Sequence, residues 1–157
     1  MTAQTLALTL PSPNATCRFA ARLGARLGAG DVLLLQGDIG AGKTHFARCL
    51  IQSLLAEPED VPSPTFTLVQ TYETPTCEIW HADLYRLTQV DEVAELGLTE
   101  AFDTAICLVE WPDRLGPETP ETALTLDLAP GPEDDARVLT MSWTAARWDD
   151  LPEALAA

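Results

Sequence analysis

Apolar positions along this chain change their period several times, and each change marks an element. Thr5 to Leu10 alternates apolar and polar residues, the two-residue period of a strand with one covered face, expected here at a sheet edge. Ser12-Pro13 then supplies an N-cap followed by proline at the first helical position. Phe19, Ala20, Leu23 and Leu27 form one stripe at helical spacing, and Gly28 and Gly30 stop the helix. The run Asp31 to Leu35 is short, apolar and β-prone, whereas Phe46, Ala47, Leu50, Ile51, Leu54 and Leu55 return to helical spacing over His45 to Leu55.

Beyond that helix two prolines in Val61-Pro62-Ser63-Pro64-Thr65-Phe66 exclude helix and leave a stiff, extended loop. Thr65 to Tyr72 and Cys77 to Ala82 are β-rich on either side of Glu73-Thr74-Pro75-Thr76, which predicts a hairpin. Val90 to Leu96 is a short acidic helix ended by Gly97, and Thr99 caps a further turn through Phe102. Ala105 to Val109 is a continuous apolar run, the pattern of a strand covered on both faces of a parallel sheet. After a loop from Pro112 to Pro120, Ala123 to Leu128 and Arg137 to Trp143 flank the turn at Pro130 to Glu133, a second hairpin expected to extend the sheet antiparallel. Asp149 to Ala157 is an acidic tail with an apolar fringe, either a helix or a frayed end. The whole reads as one α/β domain over residues 1–157, with helices around a central mixed sheet that has a parallel core and antiparallel hairpin additions.

Between the second strand and the second helix lies GDIGAGKT, Gly37 to Thr44, which fits the phosphate-loop pattern in the strand-loop-helix context that pattern requires. Gly37, Gly40 and Gly42 allow backbone conformations closed to other residues, so that N–H groups of Gly37, Asp38, Ile39, Gly40, Ala41 and Gly42 can turn inward around a phosphate. The following helix adds its positive N-terminal end. Lys43 then reaches the β- and γ-phosphates and the Thr44 hydroxyl ligates magnesium. Of nine basic residues only Lys43 is a lysine. A chain that otherwise uses arginine keeps a compact, flexible ammonium where the loop needs one.

A formal net charge of −15 leaves no basic surface for a phosphate backbone, which argues against strong direct binding of nucleic acid and suits a partner with a basic patch. No apolar run approaches the ~20 residues of a membrane span, and no secretory leader is evident, so a cytoplasmic protein is expected. Cys17, Cys49, Cys77 and Cys107 stand singly, with no spacing that builds a zinc site, and read as reduced, buried hydrophobes.

Three further positions carry chemistry. Thr65, on the loop after the first phosphate-binding helix, is placed to report a γ-phosphate through the metal. Asp83 and Glu110 each stand at the carboxyl end of a strand, where such folds hold magnesium or its water or align the attacking water. Trp111 either stacks on a base or covers the sheet edge, Arg86 can pair with a carboxylate or phosphate, and Thr16 and His81 read as a helix-terminal hydroxyl and a packed or hydrogen-bonded histidine.

GDIGAGKT, SPTFTLVQTY at Ser63 to Tyr72, HADLYRL at His81 to Leu87 and VEW at Val109 to Trp111 together resemble the TsaE (YjeE) ATPases of bacterial threonylcarbamoyladenosine synthesis on tRNA. The resemblance covers essentially the whole chain. It implies a P-loop NTPase-like three-layer fold that binds ATP and magnesium, hydrolyses ATP slowly, and acts with TsaB and TsaD, which carry out the group transfer. It also implies that Lys43 and Thr44 hold phosphates and magnesium, that Glu110 is the metal-linked acid, that Asp83 and Thr65 complete a switch-like site, and that Arg137 occupies a late strand where the family tends to place an arginine. His45 and Cys49 depart from the Thr and Gly common in the family.

Other readings remain. A small-molecule kinase shares the loop, yet the late chain offers only Arg114, Arg137 and Arg147 to clamp an acceptor. A GTPase is excluded by the lack of a second lysine for the base-reading motif. A nucleotide-sensing module that changes partners without hydrolysis stays open.

Overall fold

The computed structural model describes residues 3–38, 40–64, 67–89 and 91–155. Its sheet has seven strands: β1 (Gln4–Leu10), β2 (Val32–Gln36), β3 (Val69–Glu73), β4 (Glu78–Asp83), β5 (Ile106–Glu110), β6 (Leu124–Pro130) and β7 (Arg137–Trp143). They lie in the order β1-β7-β6-β2-β5-β4-β3. Helices α1 (Pro13–Gly24) and α2 (Lys43–Leu54) cover one face, and α3 (Asp91–Glu95) and α4 (Leu98–Thr104) pack on the other. This is the mixed sheet between helical layers that the apolar periods predict.

The two faces follow from strand alternation. On β2, Leu33 and Leu35 join Phe46, Leu50 and Ile51 of α2, while Val32 and Leu34 join Leu98 and Phe102 of α4. On β5, Ile106 and Leu108 share the first face and Cys107 and Val109 the second. Both strands are wholly apolar between their ends because both faces are covered.

Strand β4 pairs parallel with β5, β5 with β2, and β2 with β6. The second hairpin therefore differs from expectation. Strand β6 is the fourth member of the parallel core, and only β7 runs antiparallel to it, with β1 antiparallel beyond β7 at the edge. A tight turn sets how β6 meets β7 but says nothing about how β6 meets β2.

Helix α1 begins as expected, with Ser12 Oγ accepting from the Ala15 N–H at 3.1 Å, and ends at Gly24, before the stop expected at Gly28. The chain's acidic end is packed from 146 to 155. Trp148 is fully buried and its indole N–H donates to the Thr122 carbonyl at 2.8 Å. Helix α5 (Leu151–Ala154) buries Leu151, Arg26 pairs with Asp150, and Arg147 pairs with Asp31 at 2.9 Å.

The cysteines also depart from expectation. Cys77 and Cys107 are free, but Cys17 on α1 and Cys49 on α2 are joined in a disulfide across a Cα separation of 5.0 Å. Helix packing brings together residues 32 apart in sequence, which no local spacing reveals.

Candidate functional site

The turn from β2 into α2 sets the site. Gly37 has φ +140°, and a Cβ there would lie 2.5 Å from the Leu128 carbonyl oxygen, so only glycine lets the loop pass β6 this closely. Gly42, at φ +103°, is the N-cap of α2 and offers no capping side chain. The first N–H groups of a twelve-residue helix thus face the loop without an internal partner, a ready site for an anion. Arg137 braces the loop from β7. Its Nε–H donates to the Ala41 carbonyl at 2.9 Å, and its Nη1 donates to Ala136 and Asp134 carbonyls at 2.8 and 3.2 Å. Within the loop the Ala41 N–H donates to the Asp38 carbonyl at 3.0 Å.

A cleft of about 410 Å³ opens in front of the loop, bounded by Gly40, Gly42, Lys43, Thr44, His45, Asp83, Tyr85, Glu110 and Trp111. Lys43 is buried at its rim; its ammonium donates to the Gly37 carbonyl and sits 3.4 Å from the centre of the Trp111 ring. Burial holds the Lys43 pKa below its ordinary 10.5, against the opposing pull of Glu110, Asp83, Asp38 and Asp113. Trp111 reaches this place because its own backbone is left-handed, φ 57°, which turns the chain sharply off the end of β5. Tyr85 packs against it with ring centres 4.9 Å apart.

Parallel pairing sets Asp83 directly beside Glu110 at the carboxyl ends of β4 and β5. Both are buried. The Thr44 hydroxyl donates to Glu110, with Oε1 at 2.9 Å and Oε2 at 3.1 Å. Asp83 Oδ1 accepts the Tyr85 N–H at 3.0 Å. A hydroxyl on one carboxylate, with a second carboxylate beside it in register and lining the same cleft, makes the hard oxygen set that magnesium prefers, so these residues fit that ion.

His81 is both packed and hydrogen-bonded, and its partner is the acid. Two residues before Asp83 on β4, it lies on the same face and its Nε2 stands 2.7 Å from Glu110 Oε2. It is fully buried, and it shares Glu110 Oε2 with the Thr44 hydroxyl, helping to orient the acid. The available signal was the two-residue period shared by Ile79, His81 and Asp83.

Other sequence candidates take different places. Ile39 and Thr65 lie outside the described residues. Pro64, on the loop before Thr65, is buried, and its carbonyl accepts the Leu68 N–H at 2.7 Å, while the Leu68 carbonyl accepts the Asp83 N–H at 2.9 Å. Thr16 donates to the Ser12 carbonyl at 3.2 Å, the helix-terminal role read from sequence. Thr16 also lines, with Pro13, Gly42, His45, Leu128, Asp135 and Arg137, a second cavity of about 140 Å³ on the α1 side of the loop.

The chain is similar to known proteins over most of its length. Residues 10–138 match the family model "Threonylcarbamoyl adenosine biosynthesis protein TsaE". A TsaE protein of Rickettsia bellii is 40% identical over 119 residues, covering 76% of this chain and 83% of the relative. The Bacillus subtilis TsaE protein is 35% identical over 145 residues, covering 92% of this chain and 89% of that one. The crystal structure of Bacillus subtilis YdiB superposes with a TM-score of 0.80 at 28% identity, covering 99% of this chain and 97% of the other. A family-model match over residues 10–138 and relatives at 35–40% identity over most of their length place this chain in the TsaE family of threonylcarbamoyl adenosine biosynthesis proteins.

Proposed function

We propose that the chain is an ATP-binding, slowly ATP-hydrolysing accessory subunit of tRNA threonylcarbamoyladenosine modification, acting in the cytoplasm with TsaB and TsaD to reset or activate their complex. The relatives' names supply the pathway. The observation that carries the ATPase reading is the Thr44 to Glu110 contact of 2.9 Å at the mouth of an uncapped α2. It puts a metal-binding hydroxyl and an acid beside the helix end that suits a phosphate.

In this reading Lys43 and the loop N–H groups take the β- and γ-phosphates of ATP, and the Lys43 ammonium exchanges the Gly37 carbonyl for phosphate oxygens. Thr44, Glu110 and Asp83 would hold a magnesium ion, whose charge would offset that of the phosphates. Water attacks the γ-phosphorus in line, the bond to the bridging oxygen breaks, and ADP and phosphate leave. Glu110, oriented by His81, fixes the metal's water or the attacking one. Among the described residues lining the cleft none is an arginine, which supports slow turnover unless a partner completes the site.

The test is ATP hydrolysis by the purified chain, alone and with the TsaB–TsaD pair, with Lys43→Ala as the control. A slow basal rate that rises with the pair and vanishes in the variant supports the proposal. Unaided turnover at kinase rates of ~1–100 per second, or indifference to the pair, overturns it.

A further inference from the structure

Behind the phosphate loop, on the α1 side, three metal-ligating side chains meet that the ATPase reading leaves unused. His45 and Cys49 lie one turn apart on α2, and Cys17 faces them from α1. His45 Nε2 stands 3.7 Å from the Cys17 sulfur and 3.7 Å from the Cys49 sulfur. We propose that, once Cys17 and Cys49 are reduced, Cys17, His45 and Cys49 form a site for a thiolate-preferring divalent metal ion of the zinc class, clamping α1 to α2.

The imidazole position argues for the metal. A disulfide needs no third group, yet Nε2 is equidistant from both sulfurs. In a tetrahedral zinc site, bonds of about 2.3 Å to sulfur and about 2.0 Å to nitrogen separate a sulfur from a nitrogen by about 3.5 Å. Both observed separations come within a few tenths of that, so the nitrogen already stands where such a site needs it. Only the two sulfurs must part, to about 3.8 Å, which rotation about each Cα–Cβ bond accommodates. His45 Nε2 also touches the Pro13 carbonyl at 3.2 Å, a contact it surrenders on binding metal. Cys17 and His45 are half-buried and His45 borders two cavities, so an ion can enter and solvent can fill the fourth position.

Disulfide and metal site are alternative uses of the same sulfurs. A dithiol reductant donates two electrons and two protons to the Cys17–Cys49 bond and becomes a cyclic disulfide. The ion then displaces both thiol protons as two thiolates bind, and the imidazole binds in its neutral form. Because His45 follows Thr44 directly, the ion would hold α1 one residue from the phosphate loop.

The experiment titrates Zn²⁺ into the full chain, reduced with a dithiol and freed of it, against a chromophoric chelator, with excess Mg²⁺ present. One zinc per chain is expected, with none in the disulfide form. Cys17→Ser and His45→Ala should weaken binding by more than the roughly 10–100-fold that loss of a supporting outer-shell group costs. Wild-type protein loaded with Co²⁺ needs no variant to fold, and should show thiolate-to-cobalt charge-transfer absorption in the near ultraviolet. No zinc uptake, binding unchanged in Cys17→Ser, or cobalt uptake without the thiolate band each overturns the proposal.

Discussion

His81 Nε2 lies 2.7 Å from Glu110 Oε2, the same oxygen that the Thr44 hydroxyl reaches at 3.1 Å. The acid at the end of β5 is thereby held from β4 and from α2, and His81 is not among the residues lining the cleft. His81→Ala should leave nucleotide affinity within a few fold, since Lys43 and the loop are untouched. Turnover should fall about 10–100-fold and its Mg²⁺ requirement should rise, as for other lost supports of metal-binding groups. His81→Gln, which can still donate to Glu110, should recover part of the rate. Steady-state hydrolysis across a Mg²⁺ series decides; equal losses in both variants would make His81 a packing residue only.

Gly37 and Gly28 make a matched pair. An alanine methyl at Gly37 would strike the Leu128 carbonyl at 2.5 Å, in a backbone conformation closed to it, whereas nothing lies within 4 Å of the corresponding point at Gly28. Gly37→Ala should cost at least about 2 kcal/mol and abolish nucleotide binding. Gly28→Ala should be neutral or stabilise by about 0.4–1 kcal/mol through the unfolded chain. Urea unfolding of the two variants, with a fluorescent nucleotide titration, tests both.

Features written locally were legible in the sequence, and those made by distant pairing were not. Glycine spacing and a change of apolar period located the turn from β2 into α2, and continuous apolar runs located β2 and β5. The His81–Glu110 contact joins residues 29 apart and exists only in the register of β4 on β5. The Cys17, His45 and Cys49 cluster likewise needs α1 laid against α2. Strand β6 looked like half of an antiparallel hairpin because its turn to β7 is local, while its parallel pairing with β2 bridges some ninety residues of chain.

Trp148 is another such case. It stands alone between β7 and the acidic tail that begins at Asp149, with no apolar period to mark it, yet it is fully buried in the α1–α2 core and donates to the Thr122 carbonyl. Trp148→Ala removes a large side chain from a close-packed site and should cost about 3–5 kcal/mol. Trp148→Phe, which keeps most of the volume and orphans the carbonyl, should cost about 1–3 kcal/mol. Thermal melts of the two variants separate packing from hydrogen bonding, and a small, equal effect would mean the C-terminal segment contributes little to the fold.

Cys107 tests the dryness of the sheet's centre. It is fully buried on β5 against the α4 face, and burial, with Cys77 as the lesser cause, pushes its thiol from an ordinary 9.0 up to about 12. The folded chain therefore keeps this proton over a range in which the unfolded chain releases it. Stability from the group is complete below about pH 9 and is lost as the pH climbs toward about 12. Between about pH 8.5 and about pH 10.5 wild-type protein should lose about 2 kcal/mol more than Cys107→Ala, even though the variant starts lower for its small cavity. Denaturant unfolding at the two pH values measures that difference. In the native chain a thiol reagent should modify the half-buried Cys77 readily and reach Cys107 only on unfolding. Equal pH slopes in the two proteins, or rapid native labelling of Cys107, would show that water reaches the strand that carries Glu110.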